Sequence, residues 1–337
     1  MNILIFSYRF FPDFGGIETH SQMLAEHFAA NGHRVSVLTT SNAPETPAEL
    51  PYSVIYRPGF LQVAKAIRIA DAVLENNPCF SYSWPMFFFR KKHVVALHTW
   101  ITGTGNGGPA TKYLKKQLLH GASKVIACSN AVKEKTFPNA TVIENPYKTD
   151  VFFNKNEERT LDFVFVGRFV SDKGIDLAVA AFNRLVLEMG GTRNLTLTLV
   201  GDGPEKSIIE NRISALNLSK NVRIEGRKTP EEINNILNRH RYILVPSRWE
   251  EPFGLVALEG MAAGCWPIVS DGGGLPDAIG GIGSIFERNN EEDLLAKMSK
   301  AVAENLSLNR YPEKVKLHLE KHSLQHVGTQ FLKELNM

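Results

Sequence analysis

The chain has 337 residues, enough for two domains of ordinary size, each with its own core. It is 43% hydrophobic and 22% charged, and no apolar run reaches the ~20 residues of a membrane span, so it reads as a globular chain without a spanning helix. The net charge of +3 is unevenly shared: residues 1–150 hold 15 Lys/Arg against 10 Asp/Glu, and the remainder 23 against 25. A mildly basic first half suits an anionic partner or a membrane surface and is far too weak to point to nucleic acid.

The start, Met1 to Ser7, has no basic lead and no small-residue cleavage site, and reads as a first strand and not a signal peptide. Cys79, Cys128 and Cys265 are scattered, odd in number and without metal-ligand spacing, which fits a reduced, cytosolic compartment. Further strands are predicted at Arg34–Thr39, Ser53–Tyr56, Val94–His98, Lys124–Cys128 and Thr141–Ile143. Helices are predicted near Ile17–Asn31, Leu61–Asn76, Ala110–His120 and Ala131–Thr136. This alternation implies a parallel, doubly wound α/β sheet, which binds ligands at the carboxyl ends of its strands. Glu144-Asn145-Pro146-Tyr147-Lys148 breaks the rhythm, and a hinge is placed there.

The second half repeats the theme. Strands are predicted at Asp162–Val166, Leu195–Val200, Val222–Glu225, Arg241–Val245 and Trp266–Val269, the last taken as the final core strand. Helices are predicted near Gly174–Glu188, Glu205–Leu216, Pro230–Arg239, Gly254–Ala263, Glu291–Asn305 and Pro312–Glu320. The tail from Ser323 to Leu335 keeps an apolar stripe of Val327, Phe331, Leu332 and Leu335.

The most informative stretch runs from Val245 to Gly264. A buried strand stops at Pro246, and a helix-period pattern of Leu255, Leu258, Met261 and Ala262 ends at Gly264. Glu251 and Glu259 bracket the turn, eight positions apart, and the amides of Phe253, Gly254 and Leu255 lie between them at a helix N-terminus, where an anion is favoured. Val166 to Gly174 places Arg168 and Lys173 in the loop after the second half's first strand. Gly201-Asp202-Gly203-Pro204 and Gly226-Arg227 close the next two strands, the glycines permitting tight turns. Gly15-Gly16 precede the first predicted helix and let backbone approach a ligand, and His98 sits at a strand end where functional side chains emerge.

Other features carry less. Gly103 to Gly108 matches G-x-G-x-x-G but does not follow its strand at once and lacks the acid about 20 positions on, so it reads as a loop and not a dinucleotide fingerprint. The turn Asp271 to Asp277 gives Gly273 and Gly274 a supporting role. Met86 to His93 and Lys112 to Lys116 mix cations with aromatics, a composition that suits anionic lipid and equally a solvated basic face.

The Glu251-to-Glu259 stretch, with its Pro-Phe-Gly core and small-residue helix, resembles the E-x7-E motif of retaining glycosyltransferases of family 4, which have the GT-B fold. Arg168 and Lys173 are similar to the family's G-R-x4-K-G element. The resemblance implies two Rossmann-like doubly wound domains facing across a cleft. Residues 1–147 would be the acceptor-side domain, with 323–337 crossing back onto it, and 148–322 the nucleotide-sugar domain. It implies that Arg168 and Lys173 neutralise the donor diphosphate, that Glu251 positions the sugar, and that Glu259 accepts hydrogen bonds from the ribose. His98 would face the donor sugar, and Gly15, Gly16, Gly201, Arg227 and the Phe253–Leu255 turn would complete the donor site. No metal and no cofactor are expected: Asp-x-Asp is absent and the two cations take over that work. The donor expected is a UDP-sugar, with GDP as the next choice. A glycan or lipid-linked acceptor is expected, in surface polysaccharide or lipopolysaccharide synthesis, in the cytoplasm or at the inner face of the membrane as a peripheral protein. A disaccharide phosphorylase, a sugar-nucleotide epimerase and a non-catalytic nucleotide-sugar binder stay open as alternatives.

Overall fold

The computed structural model describes residues 1–13, 15–45, 49–78, 80–101, 109–190 and 194–336. They form two units, Met1–Pro146 with His322–Met337, and Tyr147–Lys321.

Unit 1 runs β1 (Asn2–Ser7), α1 (Gly16–Ala30), β2 (Arg34–Thr39), β3 (Ser53–Tyr56), α2 (Phe60–Ile69), β4 (Ala72–Asn76), α3 (Phe80–Ser83), β5 (Lys92–Leu97), α4 (Pro109–Gly121), β6 (Lys124–Ala127), α5 (Asn130–Thr136) and β7 (Thr141–Val142). The seven strands lie in the order β3-β2-β1-β4-β5-β6-β7, all parallel. Alternate residues of β1 feed opposite faces, as the pleat dictates. Ile3 and Ile5 pack with Leu24 and Phe28 of α1 on one side, Leu4 and Phe6 with Val63 and Ile67 of α2 on the other.

Unit 2 runs β8 (Leu161–Val166), α6 (Ile175–Glu188), β9 (Leu197–Val200), α7 (Lys206–Ala215), β10 (Val222–Gly226), α8 (Pro230–Asn238), β11 (His240–Val245), α9 (Leu255–Ala262), β12 (Trp266–Ser270), α10 (Leu275–Ile279), β13 (Ser284–Phe286), α11 (Glu291–Ala303) and α12 (Pro312–Lys321). Its order is β10-β9-β8-β11-β12-β13, again parallel. Local signals are consistent with the elements: α8 starts on Pro230 behind a capping box in which Thr229 and Glu232 serve each other's backbone amides. In each sheet the chain reverses its direction of travel once, between β1 and β4 and between β8 and β11, and the crevice at such a point is where an open α/β sheet takes its ligand.

The last helix, α13 (Leu324–Asn336), belongs to unit 1. Its stripe of Val327, Phe331, Leu332 and Leu335 enters the core shared with α1. Gly328 lets the two helices close up, since a Cβ there would run into the His27 ring.

Two sequence expectations need correction. The helix expected over Leu61–Asn76 ends at Ile69, and Ala72–Asn76 is β4. β4 lies between β1 and β5, so both of its faces are buried and it shows no alternation to separate it from the helical pattern before it. Trp266–Val269 is not the final strand, because β13 pairs outside β12. The short helices α3 and α10 were not foreseen. Among the described residues no helix is long and apolar enough to cross a membrane.

Phe331 is fully buried beneath α1. Phe331→Ala is expected to destabilise unit 1 by about 3–5 kcal/mol, seen as a lower denaturant midpoint for the loss of structure in unit 1.

Candidate functional site

The geometry centres on the crevice between β8 and β11. After β8 the chain passes Arg168, makes a short turn over Ser171–Lys173 and enters α6 through Gly174. After β11 it passes Ser247 and Glu251 and enters α9 through Gly254 at φ 111°. The two loops are fastened together. The amides of Arg248 and Trp249 both donate to the Asp172 carbonyl, at 2.9 and 3.1 Å, and Arg248 pairs with Asp176 at 2.7 Å. Gly174, at φ 68°, lies so close to Pro246 that a Cβ would enter the Pro246 carbonyl.

This fastening brings Lys173 and Glu251 into contact. The Lys173 Nζ lies 2.5 Å from Glu251 Oε1, which also accepts the Ser247 hydroxyl at 2.6 Å. Ser247 is itself held from β12, whose Ser270 hydroxyl donates to the Ser247 carbonyl at 2.8 Å. The backbone of Glu251 bridges to Gly273, and its carbonyl accepts the Gly274 amide at 2.7 Å. The carboxylate is therefore set from the ends of three strands. Arg168, on the same loop as Lys173, is exposed, and its guanidinium makes no hydrogen bond or ion pair among the described residues.

Glu259 stands on α9. Part of its surface is open, but protein surrounds the carboxyl closely and burial pushes it up to about 8, against the pull of Lys148. The side chain of Phe253 is buried, so its backbone is what it can offer a ligand. Leu255 opens α9, where no side chain caps the first-turn amides. Gly201 and Gly203 have a packing reason: a Cβ on either would strike the backbone of the Gly167–Phe169 loop, which they hold in place under Arg168. Arg227 is 85% exposed, 3.6 Å from Asp202, a surface pair of little energetic weight.

In unit 1 the resemblance singles out Gly15, Gly16 and His98. Gly15 and Gly16 are exposed at the start of α1, and the Glu18 carboxylate folds back over Gly15. His98 is buried just beyond β5, and burial pushes it down to about 4, so the ring is neutral. The Asn76 amide nitrogen donates to Ser21 at 2.6 Å and to the Ile17 carbonyl at 3.3 Å, which leaves its oxygen for His98 Nε2–H at 2.7 Å. Nδ1 then accepts; the Asn145 Oδ1 stands 3.1 Å from it, so this contact is a hydrogen bond when the Asn145 amide is turned to present its NH2. His20 packs on the same ring, centroids 4.3 Å apart. The loop 103–108 and Cys79 lie outside the described residues; Cys128 and Cys265 are buried and form no disulfide among the described residues.

Sequence reasoning missed Ser247, Arg248, Asp176 and Lys148. Ser247 and Arg248 lay inside the motif window, but nothing in their spacing says that one serves Glu251 and the other an aspartate on α6.

The sequence pattern of glycosyl transferases group 1 matches residues 147–318, and that of glycosyltransferase family 4 matches residues 14–150. The chain belongs to the glycosyl transferases group 1. It is 30% identical over 217 residues to an uncharacterized glycosyltransferase of Methanocaldococcus jannaschii, covering 62% of this chain and 58% of that one. It is 25% identical over 337 residues to the gpi3 subunit of phosphatidylinositol N-acetylglucosaminyltransferase from Schizosaccharomyces pombe, covering 88% of this chain and 72% of the relative. The crystal structure of HepE from Anabaena, in complex with UDP, superposes with a TM-score of 0.80 at 17% identity, over 100% of both chains. At that identity the likeness establishes the fold, which is GT-B.

Two outcomes check this geometry. Gly226→Ala meets nothing within 4 Å and should cost only the ~1–2 kcal/mol of a left-handed backbone, whereas Gly273→Ala must also displace the Glu251 carbonyl and should cost more, by calorimetry. A carboxyl raised to about 8 keeps its proton in the folded chain between pH 4.5 and 8, where the unfolded chain has lost it, so its contribution to stability falls as pH rises through that window. Glu259→Gln should therefore raise the melting temperature at pH 8.5 by at least ~2 °C and leave it nearly unchanged at pH 4.5.

Proposed function

We propose that the chain is a retaining, metal-independent glycosyltransferase that moves a sugar from a nucleoside diphosphate, with UDP as first choice, onto a glycan or glycolipid acceptor. The observation that carries this reading is the contact between Lys173 and Glu251 at the crevice of unit 2, with the unpaired Arg168 guanidinium on the same loop.

The chemistry follows from where charge develops. As the bond from the sugar C1 to the β-phosphate oxygen breaks, negative charge builds on the diphosphate. Fixed cations stabilise it more in the transition state than in the ground state, which is the condition for raising the rate. Arg168 offers a planar fork and Lys173 a point charge, and the first-turn amides of α9 add backbone donors. Glu251 Oε1 is occupied by Lys173 and Ser247, while no hydrogen bond to Oε2 is seen among the described residues. Oε2 is then the atom that accepts a sugar hydroxyl, and Lys173 is shared between Glu251 and the diphosphate. In the retaining step the acceptor oxygen bonds to C1 on the face the diphosphate leaves, and the departing phosphate oxygen takes the acceptor's proton. No protein nucleophile is required.

Glu259 receives the ribose hydroxyls as a carboxylate, so binding below pH 8 releases its proton. Acceptor handling is assigned to unit 1, while Gly15 and Gly16 keep the donor-binding role and His98 that of facing the donor sugar, its neutral ring offering shape in place of a proton relay. UDP is favoured because HepE was crystallised with it, and a lipid-linked acceptor because the gpi3 relative is named for phosphatidylinositol. Surface polysaccharide or lipopolysaccharide assembly on the cytoplasmic side is the setting that suits such a pair.

Thermal-shift measurements with UDP-, GDP- and ADP-sugars, all with EDTA, give the direct test. The correct donor at 100 times its dissociation constant adds ~2.7 kcal/mol of stability. Lys173→Ala and Glu251→Gln should each lower transfer by at least ~100-fold with the fold intact. Full activity in both variants, or stabilisation that vanishes with EDTA, would refute the assignment.

A further inference from the structure

The face of unit 1 opposite α1 and α13 carries a surface that the transfer reaction does not use. Phe60 and Leu61 open α2, and the turn Trp84–Phe87 follows α3; the fold sets them side by side. The rings of Phe60 and Trp84 stack at 5.5 Å with 9° between planes, and Phe88 meets Trp84 edge-on at 6.2 Å. All stay open to solvent: Leu61 is 81% exposed, Phe88 78%, Phe60 58% and Phe87 51%. Tyr82 and Met86, buried in the core beneath, hold the turn that presents them. Stacked aromatics on a well-anchored turn are already ordered, so little entropy remains to be lost when something covers them.

The rim is basic. Lys65 and Arg68 lie on the exposed side of α2, Arg90 follows the aromatic turn, and α4, packed beside that turn, adds Lys115, Lys116 and an exposed Tyr113. Lys91 is not part of it, since its Nζ donates to the carbonyls of Arg68 and Ala70 at 2.9 and 2.8 Å. From Arg57 to Lys124 the chain holds 10 Lys/Arg and 2 Asp/Glu. Of those two acids, Glu75 is buried against His93 at 3.0 Å and Asp71 accepts the Asn2 amide at 2.7 Å. A second copy of this chain would bring like charges together. An anionic lipid surface offers both things the patch lacks, apolar cover for the rings and phosphates for the cations.

We propose that this surface docks the protein on anionic membrane, with Phe60, Leu61, Trp84, Phe87 and Phe88 entering the boundary between headgroups and acyl chains and the cations of α2 and α4 on the headgroups. It goes beyond the proposed transfer reaction and needs no donor.

Vesicle flotation tests it. The intact chain should float with vesicles of phosphatidylcholine containing 30 mol% phosphatidylglycerol, hardly at all with phosphatidylcholine alone, and less at 0.5 M salt. Leu61→Ser/Phe88→Ser, at two open positions, should lower partitioning at least ~10-fold. Lys115→Glu/Lys116→Glu should lower it by about fivefold or more per cation and remove most of the salt dependence. Thermal shift by nucleotide sugar should be the same in every variant, which separates failure here from failure of the donor assignment. The proposal is overturned if the intact chain ignores charged vesicles, or if Leu61→Ser/Phe88→Ser floats like the parent. It is also overturned if gel filtration shows a dimer that this variant dissolves while neither form floats.

Discussion

The ion pair between Lys173 and Glu251 is a poor device for stability. Lys173 is 31% exposed and Glu251 13%, and a pair so placed contributes about 0–1 kcal/mol in water. The structure nevertheless commits three strand ends to it: the β8 loop brings the lysine, the β11 loop brings Ser247 and the glutamate, and the β12 loop clamps the glutamate's backbone through Gly273 and Gly274. Glycines at 174 and 273 adopt positive φ and pass so close to neighbouring carbonyls that no side chain fits. Such expenditure on a weak pair makes sense where the pair must hold still until a ligand divides it.

How much of this was legible follows a physical rule. Elements with local punctuation declared themselves: β8, though buried on both faces, ends at Val166-Gly167, and α8 and α11 begin at Thr229-Pro230 and Asn290. β4 was not, because a central parallel strand buried on both faces leaves no alternation, and Ala70-Asp71 breaks the preceding helical pattern without a Gly or Pro. Candidate residues close in sequence could be grouped from the sequence: Arg168 with Lys173, and Glu251 with Glu259. What joins the loops was not. Lys173 to Glu251, Arg248 to Asp176 and Lys148 toward Glu259 span separations that only the fold sets.

Unit 1 solves a different problem. Its crevice is lined by Ser7, Ser21, Asn76 and Asn145 around two histidines, all of them buried. A charged ring in that setting would be strongly disfavoured, and His98 is held neutral with one defined tautomer. The basic and aromatic surface lies on the other side of the same sheet, in the helical layer of α2 and the Trp84 turn. Residues of opposite parity in β1 thus support both: Ile3 and Ile5 anchor the layer of α1 and α13, and Leu4 and Phe6 anchor the layer that bears the exposed rings. The two faces can change independently, since the pleat separates their side chains.

Glu259 shows where stability is given up. An aliphatic residue or a glutamine at that place on α9 would lie among close protein atoms without resisting burial, whereas a carboxyl there is pushed up to about 8 and the folded chain is less stable at neutral pH for having it. Lys148 eases this only in part, because burial is the larger influence. On the proposed donor reading, a ribose that brings two hydroxyl donors would supply the hydrogen bonds that water no longer gives and so recover the penalty on binding. The same reading turns burial into discrimination: a nucleotide lacking those hydroxyls would leave a desolvated carboxyl unpaired, at a cost of roughly 1–3 kcal/mol.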